Sequence, residues 1–153
     1  MNIRYYQVLV FPFRKLENGN YEYAIFKRIR SGMWQVISGG GKKDESFIAA
    51  AKRECFEEAG LPESAQYYSL ETINSVPIHY FSEPTPKGKY VINENCFAVD
   101  CSGLEIKLSD EHSEFLWVDY NTANDLLYWD SNKTGLWELN QRLKNKNMIK
   151  INI

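Results

Sequence analysis

Ile3 to Phe13 and Tyr21 to Arg28 are crowded with aromatic and branched side chains, the composition of buried strands. Between them stands LENGN, whose Asn18-Gly19 pair is a turn signal, so the two runs predict a hairpin or two neighbouring strands. A short apolar run, Trp34 to Ile37, stops at the glycines 39 to 41. From Glu45 to Ala59 the apolar positions Ile48, Ala51, Cys55 and Ala59 recur at helical spacing, so this stretch predicts strand, loop, helix. Ser69 to Val76 and Lys89 to Asp100 predict further strands, and the segment between them, with Pro77, Pro84, Pro86 and Gly88, reads as a loop. Glu114 to Val118 predicts one more short strand. Asn121 to Leu127 and Thr134 to Lys144 have helical spacing, with Leu136, Leu139 and Leu143 on one face and Asp130 or Ser131 placed to cap the second helix. No repeat or linker interrupts this alternation. It predicts an α/β fold, a mixed sheet covered on both faces by helices, in one domain over residues 1–153.

Composition narrows the class without naming a reaction. Hydrophobic residues make up 44% and charged residues 25% of the 153, which fits an ordinary soluble domain and neither a disordered chain nor a membrane protein. The apolar runs are too short to span a bilayer. The N-terminus MNIRYYQVLVFPF alternates apolar residues and lacks the basic and long apolar regions of an export signal. Cys55, Cys96 and Cys101 are odd in number and read as buried apolar residues in a reducing cytoplasm. A formal charge of −2 predicts no extended nucleic-acid surface, while a few local cations or metal ions still suffice to hold an anionic nucleotide.

The chemistry concentrates in the predicted helix. Glu54, Glu57 and Glu58 stand at i, i+3 and i+4, so three anions share one face, opposite the apolar stripe. A solvated acidic face is one reading. The other is a site for a hard divalent cation, Mg²⁺ or Mn²⁺, which takes oxygen ligands and leaves room in its shell for water and phosphate. Arg53, four residues before Glu57, is placed for an ion pair on the helix surface. Glu45 and Asp44 suit the positive N-terminal end of the helix, and Gly60 suits a left-handed cap at its other end. The glycines 39 to 41 predict a loop with positive φ or close backbone approach.

The whole stretch GGGKKDESFIAAAKRECFEEAGL, from Gly39 to Leu61, resembles the Nudix box, with Gly39, Glu45, Arg53, Glu54, Glu57, Glu58 and Gly60 all at that pattern's spacing. The resemblance implies an α/β/α sandwich with a loop-helix-loop box, and a metal-dependent hydrolase cleaving nucleoside diphosphates linked to another group. It implies Gly39 (through its carbonyl), Glu54, Glu57 and Glu58 as metal ligands and Arg53 as the residue orienting the glutamates. Glu54 or Glu57 is implied as the base, and Glu45 as a tether more than a ligand. FKRIRSGMWQVISGG, NENCFAVD, SDEHSEFLWVDY and SNKTGLWELNQRL are similar, more narrowly, to the branch of the family that contains dihydroneopterin triphosphate and dATP pyrophosphohydrolases. In that branch a further acid at the site maps onto Glu111, which otherwise is an exposed loop glutamate.

Outside the box, Lys27, Arg28, Trp34 and Gly40 are the candidates for substrate contact, with Arg30 a further cation. Glu94 is a second candidate acid, ranked below Glu111. His79 and His112 have no partner at metal-ligand spacing. The expectation is a Mg²⁺-dependent pyrophosphohydrolase converting a nucleoside or pterin triphosphate to a monophosphate and pyrophosphate. Dinucleoside polyphosphate, sugar-nucleotide and RNA-cap substrates stay open, as do a non-catalytic nucleotide-binding module and a homodimer. Whether Pro77 to Lys89 forms a lid is left to the structure.

Overall fold

The structure, a computed structural model, describes residues 2–152. The first two predicted strands are β1 (Tyr6–Lys15) and β2 (Tyr21–Arg28), paired antiparallel with Phe13 opposite Tyr23. Their turn is closed by Leu16 and Asn20 backbone groups at 2.7 Å, and Gly19 supplies the positive φ of 88° that the turn needs. The next elements are β3 (Trp34–Gln35), β4 (Ile37–Gly41) and α1 (Phe47–Ala59), then β5 (Tyr67–Pro77), β6 (Val91–Asp100) and β7 (His112–Val118). Helices α2 (Tyr120–Leu126) and α3 (Asp130–Asn145) and a short β8 (Ile149–Lys150) complete the order.

β1 is central because residues 6 to 13 are all buried. It pairs with β2 and β4 along one edge and, in parallel, with β6 along the other. The sheet runs β3-β2-β1-β6-β5-β8, with β4 on β1 and β7 on β2. Alternation along β1 divides the core in two. Val8 and Val10 pack with Ala51, Cys55 and Ala59 of α1; Leu9, Phe11 and Phe13 pack with Leu136, Leu139 and Leu143 of α3. Both faces of a mixed sheet are therefore covered, as the apolar pattern predicts. Gly135 lets α3 sit directly on β1, since a Cβ there would come within 2.4 Å of the Phe11 ring.

Three local expectations are corrected. The glycines 39 to 41 are not a loop but the end of β4, in register with Val8, Gln7 and Tyr6, and none has positive φ. They are glycines because Cβ atoms at 39, 40 and 41 would meet Glu54, Arg4 and Tyr6 at 2.0, 2.8 and 1.9 Å. The last helix begins at Asp130, four residues early, and neither Asp130 nor Ser131 caps it; Trp129 occupies the cap position without a side-chain bond. β8 was not anticipated, because two exposed residues carry no periodicity.

β5 carries an irregularity that matters for the site. Ser69 pairs with Phe97, but the next paired residue, Ile73, faces Asn95, so two extra residues enter β5. Glu138 of α3 satisfies the freed donors. Its carboxylate accepts from the Glu71 and Thr72 amides at 2.7 and 2.8 Å and the Thr72 hydroxyl at 2.6 Å, while Arg142 donates to it at 2.7 Å. Burial alone would raise the Glu138 pKa, but these donors outweigh it and hold the group below the usual carboxylate range. A folded pKa below the unfolded one means stability that is present above the unfolded value, near pH 4.5, and lost as pH falls through the folded value. Replacing Glu138 with Gln is expected to cost about 1.5–3 kcal/mol at pH 7. In urea titrations the gap between wild type and variant should close once the pH drops below the carboxylate range; a gap that is constant with pH would show that the charge is irrelevant.

Candidate active site

The box helix α1 starts at Ser46, whose hydroxyl accepts from Ala49 N, and ends at Gly60 in the left-handed conformation, φ 65°. Tyr6 of β1 anchors its entry by donating to the Glu45 carbonyl at 2.6 Å. Between these ends, Arg53 binds in three directions. Its Nε and Nη2 donate to the two oxygens of Glu45 at 2.8 and 2.9 Å, Nη2 also donates to the Gly40 carbonyl at 2.8 Å, and Nη1 donates to Glu54 Oε1 at 2.8 Å. Glu57 lies 3.5 Å from the same guanidinium. The surface ion pair predicted at i, i+4 is thus the weakest of its contacts. Arg53 pulls the Glu45 carboxyl below its ordinary pKa.

The three helix acids differ sharply in environment. Glu57 is exposed and Glu54 is mostly covered. Glu58 is only 2% exposed, which corrects the expectation that all three carboxylates avoid the core side. The reason is its position on the helix, three residues after buried Cys55, which turns it toward buried His112 at 3.7 Å. Both Glu58 oxygens and both His112 ring nitrogens lack hydrogen-bond partners. Burial and then the neighbouring Glu54 push the Glu58 pKa well up, with Glu111 adding to the shift and Arg28 opposing it; burial also raises Glu54. His112 is pushed down to about 4, by burial and then by Arg28, so it is neutral at pH 7 and supplies no counter-charge.

These residues sit beside a cavity of about 780 Å³. Gly39, Gly40, Glu54, Glu57, Glu111 and Arg28 line it; Glu58 stands behind that wall. Glu111, in the turn before β7, is exposed and close enough for its charge to act on Glu58. Lys27 and Trp34 are not on the wall. They face each other across β2 and β3, while the neighbours of Trp34, Met33 and Gln35, line the cavity, as period two requires. Trp34 instead packs against the α3-side core. Arg30 is exposed and likewise off the wall.

The residues present fit a divalent cation. Two carboxylate oxygens buried without a hydrogen-bond partner are unfavourable unless a positive charge reaches them, and the cavity-lining acids Glu54, Glu57 and Glu111 offer further oxygen ligands. Among the described residues no group of three or more His, Cys, Asp or Glu side chains is arranged to hold a metal ion by itself.

The NUDIX domain profile matches residues 16–137. The chain belongs to the Nudix family. It is a Nudix hydrolase, an enzyme of the pyrophosphohydrolase class, and Nudix hydrolases generally use divalent metals. The fold superposes on a proposed NUDIX hydrolase of Listeria monocytogenes at 44% identity and TM-score 0.87, covering 95% of this chain and 99% of that one. It also matches the E. coli dihydroneopterin triphosphate pyrophosphohydrolase at 19% identity and TM-score 0.75, over 95% and 99% of the two chains, a likeness of fold alone. Octanoyltransferase of Myxococcus xanthus is 33% identical over 99 residues, 64% of this chain. The chain spans about a quarter, 26%, of that protein's length.

Sequence reasoning missed most of the remaining wall of this Nudix cavity. Arg4, Gln7, Asn74, Tyr80 and Trp129 line it, and Glu94, ranked low from sequence, is buried in it. Buried polar positions inside apolar strands, Gln7 in β1 and Glu94 in β6, were the available signal. Residues 77 and 80–83 form one side, held by Arg4 through an ion pair to Glu83 at 2.6 Å, a bond from Arg4 N to the Pro84 carbonyl and a stack on Phe81. The loop is a pinned wall in this structure.

Gly39→Ala tests the fit between β4 and α1. A Cβ placed 2.0 Å from Glu54 Cδ must displace that carboxylate. The expected result is a stability loss of about 1–3 kcal/mol, together with a fall in hydrolytic activity larger than that loss explains. Unchanged turnover with an unmoved Glu54 would refute the fit.

Proposed function

We propose that this Nudix hydrolase is a Mg²⁺-dependent pyrophosphohydrolase acting on a nucleoside or pterin triphosphate and releasing a monophosphate and pyrophosphate. The observation that carries the reading is the position of the box carboxylates at one end of a cavity large enough for a nucleotide. In this reading Glu54, Glu57, Glu58 and the Gly39 carbonyl hold the metal, with Glu111 contributing from the opposite loop. Mg²⁺ bound there neutralises the diphosphate and lowers the pKa of the attacking water.

The chain's own residues do the rest. Arg53 fixes Glu54 by a 2.8 Å bond while anchored on Glu45 and Gly40, so Glu54 faces the cavity in one orientation. Glu54, held facing the cavity, or the exposed Glu57 accepts the water proton in this reading. Arg28 lines the same end and offers a planar fork to phosphate oxygens. Arg4 already has Glu83 as a partner and closes the wall.

Turnover of a panel of triphosphates, sugar nucleotides and dinucleoside polyphosphates is expected only with Mg²⁺ or Mn²⁺ and to vanish with a chelator. Glu54→Gln and Glu57→Gln are each expected to lower kcat/KM by about 10²–10⁴. Turnover that survives chelation, or a panel in which triphosphates are not hydrolysed and another diphosphate compound is, would reject this substrate assignment.

A further inference from the structure

The cavity extends from the box acids across the sheet along a single row of paired residues. Gly40 of β4 pairs with Gln7 of β1, Gln7 with Glu94 of β6, and Glu94 with Asn74 of β5. All four line the cavity. Three strand spacings separate the ends, roughly 14 Å, so a ligand with its phosphates beside Gly40 places its other end near Glu94 and Asn74. Tyr80 and Trp129 also line the cavity and meet edge to face with ring centroids 5.5 Å apart, and Ser131, two residues after Trp129, reaches Glu94. Such an aromatic pair accepts a planar ring.

Glu94 is the informative group. It is 5% exposed and borders the cavity, yet no Lys, Arg or His pairs with it among the described residues. Asn74 Nδ2 donates to its Oε1 at 3.0 Å, and the Ser131 hydroxyl is nearby. Burial outweighs those donors and holds the Glu94 pKa above the usual carboxylate value, so the ionised form has unmet acceptor capacity that a ligand's donors would satisfy. An ionised carboxylate is acceptor-only with about four lone-pair sites, so most of its capacity is turned to the cavity. What completes it is a neutral ring edge with two adjacent donors. Adenine and cytosine set a ring acceptor beside the amino group, and uracil and thymine flank one N–H with carbonyls, so each brings an acceptor against the carboxylate. Guanine and pterins present a ring N–H next to a 2-amino group.

Resting on the triphosphate reading above, we propose that Glu94, set by Asn74 in a cavity that Tyr80 and Trp129 also line, is the specificity-determining residue of a heterocycle subsite that selects the 2-amino-4-oxopyrimidine edge of guanine or a pterin. Glu94 has no part in bond breaking. Its loss should change which base is chosen more than how fast the phosphoanhydride is cut.

The test compares GTP with ITP, which keeps the ring N–H and lacks the 2-amino group, and with ATP, each with Mg²⁺. Wild type is expected to favour GTP over both by at least about tenfold in kcat/KM, the loss for leaving one buried acceptor unmet. Glu94→Gln is expected to bring the three within about threefold by lowering GTP selectively, with thermal unfolding confirming that the variant folds. Binding of GMP, IMP and AMP, followed by tryptophan fluorescence, reads the same preference without turnover. Equal use of the three triphosphates by wild type overturns the proposal, as does an equal loss for all three in Glu94→Gln, which would mark a merely structural residue. If no triphosphate is hydrolysed, the substrate assignment fails by itself; tighter binding of GMP than of IMP and AMP then still supports the subsite, and equal binding overturns it.

Discussion

Everything at the reaction end depends on the Arg53 guanidinium. It joins the loop before α1 through Glu45, the last strand before that loop through the Gly40 carbonyl, and the helix itself through Glu54. A lysine has neither the planar fork nor enough donors to hold these acceptors together in fixed directions. Charge-assisted bonds of this kind contribute about 1.5–3 kcal/mol each, enough to keep a short loop from moving the carboxylates relative to the sheet. The same contacts explain the glycines, because β4 comes so close to α1 that a methyl group at position 39 would occupy the place of the Glu54 carboxylate.

A second constraint sits at the far end of the cavity. With an unbroken ladder from Ser69 to Phe97, Thr72 and not Asn74 would stand opposite Glu94. The two extra residues in β5 shift the register, and Glu138 from α3 satisfies the amides they expose. A helix on the surface therefore decides which side chain meets Glu94 inside the cavity. The two ends share this logic: a charged side chain from a helix takes up backbone groups of a strand, and a functional carboxylate is positioned as the consequence.

Near each end of the cavity lies a buried carboxylate, Glu58 or Glu94, that no Lys or Arg of the described residues ion-pairs. Glu58 has no donor at all and Glu94 has an amide and a nearby hydroxyl. Burial without a matched charge is unfavourable for each. The proposed partners differ accordingly, a divalent cation for Glu58 and a neutral donor edge for Glu94.

The box was legible because its residues lie within one helix and its flanks, where spacing along the chain equals spacing in space. Helical periodicity alone brought Glu54, Glu57 and Glu58 together, marked Gly60 as the cap and placed Arg53 beside the acids. It did not reveal that Glu58 is buried, since that depends on His112 and Phe26, which arrive from β7 and β2. Trp34 was misread for a similar reason: its type suits stacking, but the phase of β3 turns it to the core and leaves Met33 and Gln35 to face the cavity. The sequence by itself determined the order of the main strands and helices and the two-faced sheet, which follow from local periodicity, and the family, which follows from the spacing of the box. Only the tertiary structure decided the far end of the cavity, where Gln7, Asn74, Glu94 and Trp129 come from distant segments and meet through sheet register, a bulge and the docking of α3, because such contacts leave no spacing signal along the chain.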